Sequence, residues 1–568
     1  MLALILLLIG ILLEAILSWY VCRYNMHMFQ LNTYRNREML PWLRQNWKRQ
    51  GVLILQGLLL VLGGLLKNPV LLIISYFLTG FSIYYFRFLK RYLKKKKLVF
   101  TMRVKRLLVT DGILSYGIPL LASVLCLVRF SSENKAFGTA GILFWTSTGT
   151  SAALGLFLAA FALLTSFQAF AIMLSNTINH PMEEAINRHY INDAKRILSE
   201  NPDLTVIGIT GSYGKTSVKF YLNTLLRDHF NVLMTPGNYN TPMGVVKTVR
   251  SSLKPTHEIF LCEMGARHVG DIKEICDIAH PDLGVITAIG PQHLDTFFNM
   301  ENIVKTKFEL ADALPKKGKI FLNMDNDYIK ENAKKYRPEQ IVSYSTGSSA
   351  ASTEDAKADK AASASVKLSG YRAENIEVSR QGTGFTFVTP SGESQRYQMR
   401  LIGAHNVINV VGALAVAYEL GMSLEELRVP VRRIQPVEHR MQMRENALAT
   451  IIDDAYNSNP VGSKAAVETL KLFDGLRILV TPGMIELGDR QEEFNYKFGT
   501  YAADCCDYIL TVGHANREAI RKGALDSGFP EKKLYSFTLL EDAMKFAYQI
   551  KDRGHKYILL ENDLPDQY

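Results

Sequence analysis

Residues 210–217, Thr-Gly-Ser-Tyr-Gly-Lys-Thr-Ser, bring two glycines, a lysine and several hydroxyls into one short stretch. The segment before it, Thr205–Thr210, is apolar and β-branched, while Val218, Leu222, Leu225 and Leu226 after it recur at helical spacing, so the stretch reads as a strand-to-helix turn. Backbone N–H groups at such a turn, with the helix N-terminus behind them, hold phosphate, and Gly211, Ser212, Tyr213, Gly214 and Ser217 are the candidates to do so. Lys215 would reach the terminal phosphates and Thr216 would ligate Mg²⁺. The turn is shorter than the common G-x-x-x-x-G-K-[ST] loop, because position 209 is Ile and the nearest preceding glycine is Gly211.

The turn needs elements to position it. Downstream, strand and helix patterns alternate as in a mostly parallel α/β sheet, whose ligands sit at the carboxyl ends of the strands. Glu263 follows the apolar run Ile259–Cys262, Gly290 and His293 follow Gly284–Ile289, and Asn323 and Asp325 follow Lys319–Leu322. A hard cation beside phosphates takes oxygen ligands such as Thr216 and Glu263. From about Pro436, strands at Thr450–Ile452, Ile478–Val480 and Tyr508–Leu510 alternate with helical patterns, which predicts a second, smaller Rossmann-like domain. Residues 346–366 are rich in Ala, Ser and Lys without apolar periodicity and read as a flexible insertion.

The first third is of another kind. The 568 residues carry a formal charge of +11. Residues 1–180 hold 19 Lys/Arg against 4 Asp/Glu, so the remainder is slightly acidic. That third is also very apolar, so its charge reads as membrane topology and argues against a nucleic-acid partner. Apolar runs at 1–22, about 51–66, 69–86, 107–130 and 150–175 predict five spans, with four or six as alternatives. The basic loops, which include the Lys94–Lys97 run, would lie in the cytoplasm, as would everything after residue 176. Glu14 lies mid-span, where an ionisable group is costly and is either functional, set against a polar neighbour or protonated, whereas Asp111, near an expected helix end, is assigned to interfacial water. Six cysteines without a C-x-x-C pair exclude a zinc-ribbon or redox reading. The expected domains are 1–180 (transmembrane), 181–435 (central, ATP-binding) and 436–568 (C-terminal).

Eight ordered blocks carry a resemblance: TGSYGKTS (210–217), GNYNTPMG (237–244), EMGARHVGD (263–271), GPQHL (290–294), KTKFEL (305–310), HNVINV (405–410), DDAYNSNP (453–460) and GMIELGD (483–489). Over about residues 200–500 the chain resembles the ATP-dependent Mur ligases of peptidoglycan synthesis, most of all their D-alanyl-D-alanine-adding branch. The resemblance implies that Lys215, Thr216 and Asn238 serve the ATP phosphates, that Thr216 and Glu263 hold one Mg²⁺, and that His293 serves a second. It implies a carbamylated lysine at Lys307, with Lys305 the alternative. His405 and Asn406 would contact adenine, Asp454 the ribose, Arg440 the phosphates, and Asn457 and Asn459 the incoming dipeptide. The reaction implied is amide formation through an acyl phosphate, on a peptidoglycan precursor linked to UDP or to lipid, with D-Ala-D-Ala or another amine as donor. A bacterial membrane protein with cytoplasmic catalytic domains is expected, and a catalytically silent scaffold that binds nucleotide is the rival reading. The family's uridine-binding N-terminal domain has no counterpart in this sequence, and the final stretch, Leu559–Tyr568, lacks the glycine and basic residues expected there.

Overall fold

The computed structural model describes residues 2–65, 69–92, 97–133, 155, 157–347, 370–456, 458–551 and 554–563. The expected 346–366 insertion, Asn457 and most of the Lys94–Lys97 run therefore lie mainly outside the described residues. The chain forms two compact units, Met1–Arg188 and His189–Leu564.

The first unit is helical: α1 (Leu2–Leu31), α2 (Asn36–Gln45), α3 (Trp47–Leu65), α4 (Pro69–Tyr92), α5 (Met102–Gly112), α6 (Ile118–Glu133), α7 (Phe157–Ser166) and α8 (Gln168–Ser199). Among the described residues two helices are long and apolar enough to cross a membrane, Val70–Phe88 and Met102–Leu125, the latter joining α5 to α6 through one π-helical segment. Against five expected spans, the described residues hold two, or three if α7 and α8 count as one span bent by 83°, with the start of the expected 150–175 span lying outside the described residues. Residues around Gln50–Gly63 form a shorter apolar helix. The bend interrupts the expected 150–175 span where Ser166 Oγ bonds back to Ala162 O and across to Leu53 O, both at 2.8 Å.

Glu14, Ser18, Cys22 and Asn25 recur along one face of α1 and are buried. Glu14 meets Gln56 of α3 and, at 3.3 Å, Thr79 of α4. Ser18 lies 2.8 Å from the Tyr116 hydroxyl. Asp111, expected at the water interface, is instead 1% exposed, because the helix continues past it. It accepts from Gln168 Nε2 at 2.6 Å and from Cys22 Sγ at 3.4 Å. A polar seam therefore runs inside an apolar bundle.

The second unit holds two sheets. The larger takes the order β2-β3-β1-β4-β5-β6-β7-β8-β9. Its strands are β1 (Thr205–Thr210), β2 (Val232–Met234), β3 (Ile259–Glu263), β4 (Leu283–Ile286), β5 (Lys319–Asn323), β6 (Ile341–Ser345), β7 (Tyr371–Ser379), β8 (Gly382–Val388) and β9 (Ser394–Met399). All pairs are parallel up to β7, and β7–β9 add an antiparallel meander. Parallel strands covered on both faces are apolar along most of their length, and β1 and β3 are so between Thr205 and Thr210 and up to Glu263. The register pairs Ile209 with Glu263 and Thr210 with Ile286, which brings three strand ends to one rim. β4 is shorter than the expected run to Ile289, since Thr287 leaves the sheet to bond Thr210 O and Tyr213 O through its hydroxyl.

The smaller sheet takes the order β10-β11-β15-β12-β13-β14, from β10 (Gln442–Glu445), β11 (Ala449–Asp454), β12 (Leu476–Thr481), β13 (Tyr508–Val512), β14 (Leu534–Phe537) and β15 (Lys556–Glu561). Only β10 is antiparallel to its neighbour. All three expected strands are present. The last strand lies between β11 and β12, so Glu561 ends beside Asp454 and Thr481.

Glu561 is 1% exposed, and its carboxylate accepts from Ser458 and, at 3.0 Å, from Thr481. Burial pushes the carboxyl up to about 8, with the Asp454 charge adding and both hydroxyl donors opposing. A folded-state value above the unfolded one means that the native state holds the proton more tightly. The stabilising contribution is full below about pH 4.5 and is lost as pH rises towards 8. Glu561→Gln, which cannot ionise, is therefore expected to unfold at higher urea than the natural protein at about pH 8, with the gap closing towards pH 5. Equal midpoints at both values would contradict the assignment.

Candidate active site

β1 runs into Gly211 (φ 149°) and Gly214 (φ 80°), the residue that caps α9 (Lys215–Leu226). Gly214 occupies left-handed backbone where a side chain is strained, and an added Cβ would stand 2.5 Å from Asn409 Oδ1. Ser212 ties the turn to its neighbour: its Oγ donates to Gly290 O at 3.0 Å, with the Gly290 N–H 3.1 Å from the same oxygen. The Tyr213 hydroxyl donates to Pro291 O at 2.9 Å. Ser217 is buried under the first turn of α9. The Lys215 ammonium bends back to Gly211 O (2.7 Å) and Ser212 O (3.1 Å). Burial lowers it to about 8, with Glu263 opposing and Arg440 adding to the fall.

Thr216 Oγ1 lies 3.0 Å from Glu263 Oε1. Behind that carboxylate sits Lys219, fully buried, with Nζ 2.9 Å from Glu263 Oε2 and donating to Thr235 O (2.8 Å) and Gly237 O (2.6 Å). Burial works against ionisation of Glu263, yet Lys219 and Lys215 hold its carboxyl below the usual range. One buried lysine thus fixes the acid and two carbonyls of the 235–237 loop. No motif singles it out, although a lysine four residues after Lys215 lies on the same helix face. Asn238 is exposed on that loop. Asn240 reaches in instead, donating to Glu263 Oε1 at 3.1 Å.

Among the described residues no group of three or more His, Cys, Asp or Glu could hold a metal ion by itself. A hydroxyl and a single carboxylate, Thr216 and Glu263, nonetheless suit a Mg²⁺ ion that completes its shell with phosphate oxygens and water. The donor set fits.

His293 and Lys307 occupy the next part of the rim. α13 (Met300–Ala313) follows α10 (Pro242–Ser252), α11 (Asp271–Ala279) and α12 (Leu294–Phe297), and presents Lys307 inward while Lys305 is exposed. Lys307 is 2% exposed, 6.0 Å from the Phe297 ring centre. Burial, then the Lys215 charge, hold its amine well below the usual lysine range, against weaker opposition from Asp271 and Glu309. His293 touches Glu486 through Nδ1, and its imidazole is held below the usual value, first by burial. Glu486 stays ionised: burial opposes this, but contact with His293 and the Arg267 charge take it down to about 2.

The C-terminal sheet supplies the remaining groups. Arg440 lies with its guanidinium 4.8 Å from the Tyr456 ring centre, within electrostatic reach of Lys215 and Asp454. Burial raises Asp454 to about 6, with Arg440 opposing. His405 and Asn406 begin α15 (Ala404–Glu419), which follows α14 (Asp327–Ala333) in the central domain. Burial pushes His405 down to about 4. The Asn406 amide is engaged inside the protein, accepting from the Tyr221 hydroxyl (3.1 Å) and donating to Ile402 O (2.9 Å). Asn459 accepts from Gly462 N–H at 2.8 Å as the cap of helix Pro460–Thr469. Lys215, Thr216, Glu263, His293, Lys307, Arg440 and Asp454 therefore interact in one connected set, whereas Asn238 faces solvent and the side chains of Asn406 and Asn459 have structural partners.

Comparison with known proteins agrees with this geometry. Residues 209–417 match the Mur ligase middle domain and residues 439–560 the Mur ligase, glutamate ligase domain. The UDP-N-acetylmuramoyl-tripeptide--D-alanyl-D-alanine ligase of Escherichia coli K12 is 30% identical over 331 residues, which is 58% of this chain and 68% of that protein. Its Bacillus subtilis counterpart is 28% identical over 353 residues, 61% of this chain and 71% of that protein. The crystal structure of MurF from Acinetobacter baumannii superposes with a TM-score of 0.58 at 27% identity, covering 66% of this chain and 77% of that one. On these matches the chain belongs to the Mur ligase family of ATP-dependent ligases.

Proposed function

We propose that this protein joins D-alanyl-D-alanine to a UDP-N-acetylmuramoyl tripeptide, from a membrane-anchored position with its catalytic part in the cytoplasm. Supporting the reaction are the relatives' activity and the way Lys215, Thr216, Glu263 and Lys307 interact in one pocket. A carboxylate is a poor electrophile until ATP phosphorylates it. The acceptor's carboxylate oxygen attacks the γ-phosphorus, ADP leaves, and the resulting acyl phosphate is attacked by the donor amine to give an amide and phosphate.

Lys215 and Arg440 stabilise charge on the transferring phosphoryl group by position and field. Mg²⁺ held by Thr216 and Glu263, and a second ion at His293 and a carbamylated Lys307, would neutralise phosphate charge. Lys219 keeps the Glu263 carboxylate ionised and aimed. His405 and Asp454 line the nucleoside end. Closure of the C-terminal domain on the central one keeps water from the acyl phosphate. The observation that carries the reading is Lys307, buried within electrostatic reach of Lys215, with burial and that neighbouring charge holding its amine well below the usual lysine range.

The two helices able to cross a membrane, and the basic loops between apolar runs, support the anchored placement. They also favour a second reading, a lipid-linked acceptor with the same chemistry. Phosphate release should be followed with ATP, Mg²⁺, D-Ala-D-Ala and either UDP-linked or lipid-linked muramoyl peptide, with product mass recorded. Release that requires both acceptor and dipeptide is expected. The more active acceptor arm identifies the carrier, and product with another amine alone would replace the donor. Nucleotide binding without turnover on every acceptor would overturn the ligase reading in favour of a scaffold.

A further inference from the structure

Two corners of non-glycine backbone meet where the two sheets' domains touch. His293 (φ 52°) and Glu486 (φ 62°) both lie in the left-handed region, which residues other than glycine rarely occupy. Such conformations persist where surrounding contacts over-determine them, and they gather at sites of function. Here the contacts run both ways. Leu294 N–H donates to Glu486 O at 2.9 Å, Gly488 N–H donates to Asp295 Oδ1 at 2.8 Å, and Arg267 Nη2 lies 3.4 Å from Glu486 Oε1. The remaining carboxylate oxygen, Oε2, meets His293 Nδ1. Both side chains are 17% exposed, so the contact is largely shielded from water.

We propose that Glu486 is a positioning residue that orients His293 when the C-terminal domain closes, so that closure itself completes the second ion's site. The physical ground is the tautomer. An imidazole that donates Nδ1–H to a carboxylate has its lone pair on Nε2, pointing away from that carboxylate with the ring fixed. Without Glu486 the ring is free to rotate and to carry its proton on either nitrogen. Because Glu486 belongs to the 483–489 loop of the C-terminal domain and His293 to the central rim, the orientation exists only while the domains are together. Asp295 and Gly488 latch the same two loops, and Arg267 holds Glu486 from its other oxygen. The inference rests on the reading of His293 as an ion ligand.

The test counts Mn²⁺ bound to the full chain in detergent with a non-hydrolysable ATP analogue, from the electron paramagnetic resonance signal of free Mn²⁺. The natural protein is expected to bind two ions. Glu486→Ala should weaken the second by about tenfold or more, the usual cost of losing a ligand's supporting partner, while the first ion and the nucleotide bind as before. Glu486→Gln, which retains an acceptor oxygen, should recover most of the loss. In turnover, kcat should fall with little change in KM for ATP. An unchanged second affinity in Glu486→Ala, alongside its loss in His293→Ala, overturns the inference and leaves the ligand reading intact. Two ions retained in His293→Ala, or one ion in the natural protein, overturn that reading and the inference with it.

Discussion

Lys215→Ala lowers phosphate release from ATP by about 10²–10³-fold with the fold intact, the cost of deleting one preorganised group from charge developing in a transition state. The side chain is half-buried at the turn and hydrogen-bonds the carbonyls of Gly211 and Ser212, so its loss removes no packing that other elements depend on. Lys215→Arg is expected to restore little, because a planar guanidinium does not fit where an ammonium meets two carbonyls of a tight turn. The pH profile gives an independent check. Burial lowers Lys215 to about 8, so its charge is present below that value and lost above it. kcat/KM for ATP, which reports the free enzyme, should therefore decline as pH rises past about 8. A Lys215→Ala protein that turns over normally would remove the phosphate role altogether.

Lys307→Arg is the second large effect, expected to cost about 10²-fold or more in turnover, on the scale of losing a charge-stabilising group from the site. Carbon dioxide adds to a neutral amine, forming an N–C bond and releasing a proton, and converts a would-be cation into an anion. Burial and the Lys215 charge together disfavour the charged form of Lys307, whereas an arginine there remains charged. Removing dissolved carbon dioxide should slow the natural protein and bicarbonate should restore it, with no response in the variant. Carbon-13 resonance of protein exposed to labelled carbon dioxide should show a carbamate signal absent from Lys307→Arg. Activity indifferent to carbon dioxide in the natural protein would rule out the modification.

The glycine turn and the placing of Glu263 and His293 on one rim were legible because each follows an apolar run whose ending the sequence marks, and strand ends in a parallel sheet converge; Lys307, in the middle of a helix, was suggested by family resemblance alone. Lys305 and Lys307 illustrate what spacing leaves open. Both stand on the same helix, and only packing against Phe297 shows that the second points inward. Asn238 and Asn240 differ for a similar reason, since the loop's turn direction decides which amide reaches Glu263. Glu486 was not legible as a partner of His293 because 193 residues separate them and the contact joins two domains. In the helical unit, the sequence does not show that the chain bends between Ser166 and Gln168, nor that Asp111 finds Gln168 and Cys22.

The central place of β15 bears on biosynthesis. β11 and β12 pair with it on either side, from Ala449↔Lys556 and Leu476↔Lys556 onward, and not with each other. While a ribosome is still making residues 534–555, the nascent C-terminal domain has a gap through its middle, with two unpaired strand edges facing one another. Such edges invite wrong partners, and pairings between residues far apart in sequence form slowly. Folding of this domain therefore waits on translation of Lys556–Glu561, and a message cut short just upstream yields a product prone to aggregate rather than a slightly smaller enzyme.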